Sequence, residues 1–368
     1  MTQAVLEHPT IAEWTKLTKK NSPRPTDWDS LIGNERAKTQ IREAIAASKK
    51  DSRPLPHMIL FGPAGMGKSS FAKIIARDMG GGYIESTAST LETQTDLLQV
   101  LMRLCDLRDE TKIPSVLFLD EIHQIAGGKN RQSIDQETLF TVLEDWVFYH
   151  NLRNKPVLDA QGRTIHCLYN DFKVWPFTCI GATTDPGLLS APLLRRFLLQ
   201  IELEPYSENE IAQIILGAGL RLNLTITPDA AATLAKYSRR NPGTSNGLIE
   251  YARARASATD RTIIDNDVAL EVIARLNLYE LGLNAMDVRI LQSLYNRAPR
   301  GIGMAELSRS VGISTSQFSM HENYLRALNL METQSRRVIR PEGIRYLAKI
   351  GKVDVTRSDV KAALAAST

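Results

Sequence analysis

Eight consecutive residues, Gly62-Pro63-Ala64-Gly65-Met66-Gly67-Lys68-Ser69, fit the pattern G-x-x-x-x-G-K-[ST]. The chemistry that such spacing serves is phosphate binding. Glycines let backbone N–H groups turn toward one point, and a helix starting behind them adds its partial positive charge. Lys68 is placed to reach the β- and γ-phosphates of a nucleoside triphosphate, and Ser69 to hold magnesium. A second group of chemical residues is the acidic pair Asp120-Glu121, which closes the apolar run Val116-Leu117-Phe118-Leu119. Asp120 is expected to hold the metal through its water shell, and Glu121 to orient or polarise the attacking water. A third run, Phe177 to Thr184, ends in the hydroxyls of Thr183 and Thr184. Either could bond the γ-phosphate or the water if this run lies beside the other two; otherwise it is a plain threonine-rich turn. Finally, Pro192-Leu193-Leu194-Arg195-Arg196-Phe197 offers an arginine to a neighbouring subunit's γ-phosphate, or else two surface salt-bridge partners.

These residues need a scaffold, and the hydrophobic periodicity supplies one. Strands are predicted at His57–Phe61, Tyr83–Ser86, Val116–Asp120, Phe177–Thr183 and Leu198–Leu203, with helical spacing over Asn34–Ser48, Ser69–Arg77 and Thr90–Leu107. Strands alternating with helices argue for a mostly parallel sheet covered on both faces. After Pro205 the strand signal stops. Ser207 and Glu210 form a capping box opening a helix over Ile211–Leu220, Thr227-Pro228 caps another, and Asp265 caps a third ending near Leu278. Beyond Gly282, helices at about Asp287–Arg297, Met304–Val311 and Ser316–Leu328 precede a basic β-like segment from Met331 to Arg340. Three helices and a terminal hairpin suggest a winged helix. Residues 1–22 read as an extension, and the tail from Val353 as loose.

Composition narrows the class. At 368 residues with 43% hydrophobic and 23% charged content, the chain is long enough for two to three globular domains. Its net charge of +4 is mild, but between Leu283 and Gly351 ten basic residues face five acidic ones, so the basic character lies at the C-terminal end. Cys105, Cys167 and Cys179 lack metal-ligand spacing and fit reduced thiols of a cytoplasmic protein. No stretch has the layout of a signal peptide or the length of a membrane span.

The phosphate loop, Asp120-Glu121-Ile122-His123, Gly181-Ala182-Thr183-Thr184 and Pro192 to Phe197, together with Pro25 to Gly33, resemble RuvB, the AAA+ motor of the Holliday-junction branch-migration complex. The similarity runs from about Pro25 to Gly351 and is densest in the nucleotide core. The resemblance implies an α/β fold of the AAA+ P-loop NTPase class, over residues 23–205. It implies a helical lid over 206–282, a winged-helix DNA-binding domain over 283–351, and a hexameric ring moving on duplex or branched DNA. ATP contacts would come from Gly62, Gly65, Met66, Gly67, Lys68, Ser69 and Ser70 of the loop, with Leu31, Ile32 and Pro242 outside it. Magnesium would sit at Ser69 and Asp120. The resemblance gives Thr184 a catalytic sensor role beside Glu121, makes Arg196 the arginine acting across subunits, and sets Arg336, Arg337 and Arg340 in the DNA-binding wing.

Three departures stand out. The family carries an arginine after the lid proline, where this chain has Gly243; Arg240 is the nearest substitute. The segment 146–176 should hold the hairpin that grips a RuvA-like junction-binding protein, but its tip, Asp159-Ala160-Gln161-Gly162, is polar, which points to a RuvA-like partner or a different protein. A basic loop, Gly127-Gly128-Lys129-Asn130-Arg131, follows the catalytic strand and would lie near DNA phosphates or simply in solvent. The rival readings are a non-helicase AAA+ ATP switch that assembles on DNA, such as a clamp-loader-like factor, helicase loader or transposition regulator, and a DNA-bound scaffold with little turnover.

Overall fold

The computed structural model describes residues 22–125, 136–149, 157–158, 164–165, 171–354 and 358. The N-terminal extension short of Ser22, the loop Gly127–Arg131, the hairpin tip Asp159–Gly162, Cys167 and nearly all of the tail lie outside the described residues. The chain divides into two compact units, Met1–Thr225 with Arg240–Gly247, and Ile226–Arg239 with Leu248–Thr368.

In the first unit, α1 (Glu35–Lys50) leads to β1 (Met58–Phe61), α2 (Lys68–Met79), β2 (Tyr83–Thr87), α3 (Gln94–Thr111) and β3 (Val116–Asp120). There follow α4 (Gln136–Asp145), the short strands β4 (Val147–Tyr149), β5 (Val157–Leu158), β6 (Thr164–Ile165) and β7 (Asp171–Lys173), then β8 (Thr178–Thr183), α5 (Ala191–Arg196), β9 (Leu199–Glu202) and α6 (Glu208–Arg221). Five strands form one parallel sheet in the order β2-β3-β8-β1-β9. Its central strands are near-continuous apolar runs because helices cover both faces. Met58, Ile59 and Leu60 of β1 and Leu117, Phe118 and Leu119 of β3 are fully buried. The five strands expected from periodicity are all present, each within a residue or two of its expected ends. β4 pairs antiparallel with β7 and β5 with β6, so a hairpin does occupy the 146–176 segment.

Helix starts follow local chemistry. Gly67 and Gly80, both left-handed, bracket α2, and capping boxes at Thr93/Asp96 and Ser207/Glu210 open α3 and α6. Below the sheet's binding end, His57 links three elements. Its Nδ1 accepts from the Cys179 N–H at 2.9 Å, which leaves Nε2 to donate to the Leu143 carbonyl at 3.1 Å. Burial pushes this ring's pKa down to about 4, so it is a neutral structural bracket.

The second part of the chain is helical: after the short β10 (Thr225–Ile226) come α7 (Pro228–Lys236), α8 (Pro242–Ala258), β11 (Ile263–Ile264) and α9 (Asn266–Arg275). Then α10 (Ala285–Asn296), α11 (Met304–Val311) and α12 (Thr315–Ala327) precede the antiparallel hairpin β12 (Met331–Thr333) and β13 (Arg337–Ile339), and α13 (Pro341–Lys349) closes the domain. Ile302 bridges Arg337 as a third, one-residue strand. Leu291, Leu294, Leu307, Phe318, Leu325 and Leu347 form the shared core, giving a winged helix with one extra helix, α13, which the periodicity reading lacked. Asp287, fully buried, accepts from His321 Nδ1 at 2.6 Å and from the Asn284 N–H at 2.8 Å and pairs with Arg239.

Candidate active site

Strand β1 ends at Phe61, and the loop 62–67 then folds over the start of α2. Gly65 (φ 82°) and Gly67 (φ 96°) hold left-handed backbone that a side chain would strain. Among the described residues, no N–H from Gly65 to Ser69 has a protein acceptor. Five unpaired donors at a helix N-terminus form an anion nest, the feature a polyphosphate fits. Lys68 Nζ donates to the carbonyls of Gly62 (2.7 Å) and Pro63 (3.1 Å), leaving one of its three protons free. Burial pulls its pKa down, opposed by the charges of Glu121 and Asp120.

Those two carboxylates stand at the carboxyl end of β3, beside β8. Asp120 is lifted above the usual carboxylate range by burial, though its Oδ1 accepts from the Glu121 N–H at 3.0 Å. Glu121 follows β3 with a left-handed backbone (φ 49°), and its side chain reaches the end of β8. There its Oε2 accepts from the N–H and hydroxyl of Thr184, at 3.4 and 3.3 Å. The structure separates the two threonines that spacing left open. Thr183 is buried, with its hydroxyl 2.9 Å from His123 Nδ1, whereas Thr184 faces Glu121. His123 also lies 3.3 Å from Glu121 Oε2, so it belongs to the site, a role that its place in Asp-Glu-Ile-His did not disclose. Among the described residues no three His, Cys, Asp or Glu cluster to hold a metal. Magnesium on a nucleotide needs only one or two protein oxygens beside phosphate and water, and Ser69 and Asp120 suit that hard cation.

Arg196, the last residue of α5, lies over the Phe140 ring (4.6 Å) and pairs with Glu144, both on α4. Arg195 is exposed. Helix α4 was absent from the periodicity reading, so these two partners were missed, although Leu139, Val142 and Leu143 carry the spacing of a buried face.

Beside the phosphate loop lies a cavity with mostly apolar walls, among them Pro23, Leu31, Ile32, Tyr206 and Pro242, continuous with Gly65, Gly67, Ser69 and Ser70. Mostly apolar walls beside an anion nest are surroundings that a nucleotide's base fits. Leu31, Ile32 and Pro242 were expected here. Tyr206 and Arg221 were not: the Tyr206 hydroxyl donates to the Met66 carbonyl at 3.3 Å, and Arg221 donates twice to the Pro23 carbonyl, at 3.1 and 2.6 Å.

The segment 240–243 departs from expectation for a steric reason. A Cβ on Gly243 would lie 2.8 Å from Gly65 Cα, because the two backbones are in contact. An arginine at this position would have to displace the phosphate loop. Arg240 is exposed and contributes its carbonyl to the Tyr206 N–H at 3.3 Å.

The three wing arginines differ among themselves. Arg337 lies against Glu322, which is 7% exposed, through bonds of 2.9 and 3.3 Å. Arg340 sits between Glu332 (3.4 Å) and Glu342 (3.6 Å). Arg336 is exposed and makes one long bond, 3.5 Å, to the Gly301 carbonyl. No helix among the described residues is long and apolar enough to cross a membrane.

The family model of the Holliday junction DNA helicase RuvB P-loop domain matches residues 23–203. The chain is 34% identical over 294 residues to the Holliday junction branch migration complex subunit RuvB of Campylobacter jejuni strain RM1221, covering 80% of this chain and 81% of that protein. It is 31% identical over 327 residues to the same subunit of Latilactobacillus sakei, covering 88% and 91%. The solved Thermotoga maritima RuvB branch migration motor superposes with a TM-score of 0.71 at 28% identity, over 89% of this chain and 98% of that one.

Proposed function

Because this chain belongs to the RuvB family, we propose that its nucleotide site powers a DNA motor that moves Holliday junctions by branch migration. ATP binding and hydrolysis come with the P-loop domain itself. The loop N–H groups from Gly65 to Ser69 take phosphate oxygens, and Lys68 neutralises the β- and γ-phosphates. Ser69 and Asp120 are the oxygens offered to magnesium, which when bound neutralises phosphate charge. Glu121 orients the attacking water, with Thr184 holding its carboxylate in place. Arg196 acts on the γ-phosphate of a neighbouring subunit in a ring, taken to be hexameric. The walls at Leu31, Ile32 and Pro242 take the base.

Residues 23–205 form the ATPase domain, 206–282 the lid and 283–351 the winged helix, which grips duplex or branched DNA and gives the motor its helicase-type action. The 146–176 hairpin faces a RuvA-like junction-binding protein, and the site of action is the cytoplasm. One observation supports this most: Glu121 is held by Thr184 at the ends of adjacent strands β3 and β8, and β8 also pairs with β1, whose following loop carries a row of unpaired N–H groups.

The test uses a four-way DNA junction with ATP. Wild-type protein, with a junction-binding partner, is expected to move the branch point. Glu121→Gln should bind ATP normally, hydrolyse it at least about a hundredfold more slowly, and leave the junction still. ATP-dependent assembly of the wild type on DNA with no junction movement would favour the ATP-switch reading instead.

A further inference from the structure

The position that carries the family's lid arginine is a glycine here, yet the lid segment is not idle. Asn241 Nδ2 donates to the carbonyl of Ala64 at 2.7 Å, and the Gly243 N–H donates to the carbonyl of Gly65 at 2.9 Å. Two consecutive carbonyls of the phosphate loop are thereby tied to one short segment. In a trans peptide the C=O and the following N–H point in opposite directions. Holding the Ala64 and Gly65 carbonyls toward the lid therefore turns the N–H groups of Gly65 and Met66 the other way, into the anion nest.

The orientation of the Asn241 amide is set by its surroundings. Its Oδ1 accepts from the Thr244 N–H at 3.1 Å, which caps α8 and leaves Nδ2 to face the loop. The fit is close on both sides. A Cβ on Gly65 would collide with Asn241 Oδ1, and one on Gly243 would press on Gly65 Cα. Gly65 and Gly243 together allow the contact that Asn241 exploits.

We propose that Asn241 is a positioning residue for phosphate binding, one that holds the loop's donors in place from the start of α8, through the loop rather than through the nucleotide. This rests on the loop being the phosphate site. The consequence is that the start of α8 and the loop are one mechanical piece, so nucleotide affinity depends on an amide that never touches nucleotide.

The test is equilibrium binding of a fluorescent ATP analogue and of its diphosphate, alongside thermal unfolding without nucleotide and steady-state kinetics. Asn241→Ser keeps a cap for α8 but removes the donor to Ala64. It should unfold like the wild type yet bind both nucleotides about tenfold more weakly, raising KM more than it lowers kcat. Gly243→Ala, favourable for a helix in itself, should weaken binding likewise because its Cβ presses on Gly65. Gly247→Ala, whose Cβ meets nothing within 4 Å, should bind like the wild type. Wild-type affinity in both Asn241→Ser and Gly243→Ala, with Lys68→Ala abolishing binding, would overturn the proposal alone. Wild-type affinity in Lys68→Ala would instead overturn the phosphate-site reading beneath it.

Discussion

The phosphate loop and the wing are the two regions proposed to meet phosphate, and they are built in opposite ways. At the loop the donors are backbone N–H groups that the protein leaves unpaired. At the wing the donors are arginine side chains, and the protein has already paired two of the three with its own carboxylates. A backbone site can be recognised from spacing, because glycines and a helix start mark it. A side-chain site is specified by whichever carboxylates fold against it, and charge counting does not see them. The ten basic residues between Leu283 and Gly351 therefore overstate the charge this domain offers to a partner.

The largest effect that would sharpen this contrast comes from Arg196, a side-chain donor assigned to the nucleotide. Its pair with Glu144 is about one-third exposed on both sides, so the pair itself contributes at most about 1 kcal/mol of stability. If the guanidinium leaves Glu144 for a neighbouring subunit's phosphate, Arg196→Ala should cut kcat by roughly a thousandfold without weakening nucleotide binding. Mixed with Glu121→Gln protein it should regain part of that activity, since some interfaces then join an intact arginine to an intact carboxylate. Glu144→Ala should retain turnover. An Arg196→Ala protein with wild-type kcat would make the arginine a mere partner of Glu144 and pass the role to exposed Arg195.

Next in size is the wing's internal pair. Glu322 is nearly buried and its carboxylate is held by Arg337 and by the Thr333 hydroxyl at 2.6 Å. Arg337→Ala leaves that charge with a single neutral donor, and should cost about 3 kcal/mol of unfolding free energy in urea. Arg336→Ala should cost almost nothing. Equal stabilities would mean Glu322 finds water, and that the wing is less closed than its geometry indicates.

These cases also mark what could be read from sequence. The five strands, the loop, Asp120-Glu121 and the caps at Ser207, Thr227 and Asp265 were legible because each depends on neighbours a few residues away. Helix α4 was not, although its apolar spacing was there to find, and with it went Glu144 and Phe140. Tyr206 and Arg221 were missed because they join the cavity beside the phosphate loop only through the fold, Tyr206 reaching back 140 residues to Met66. The choice between Thr183 and Thr184 needed the strand register, since neighbours on a strand face opposite ways. The pairing of Arg337 with Glu322 links β13 to α12, fifteen residues apart, and only packing shows which arginine it consumes. Arg336, its neighbour in sequence, lies in the turn before β13 and is exposed.

The smallest expected effect tests the contrast most directly, through the salt dependence of duplex DNA binding. Each phosphate neutralised by a side chain steepens the slope of log affinity against log salt by about 0.9 for duplex DNA. Arg336 is exposed and lightly bonded, so Arg336→Ala should reduce the slope by nearly that amount, evenly across sequences. Arg340 must give up Glu332 and Glu342 to reach a phosphate, and its removal should reduce the slope by less. Arg337 is committed to Glu322, so Arg337→Ala should leave the slope unchanged at temperatures where the variant is fully folded. If all three substitutions reduced the slope equally, the carboxylates would be exchanging with phosphates on binding. The wing would then be a charged face like any other, and the difference drawn between it and the phosphate loop would vanish.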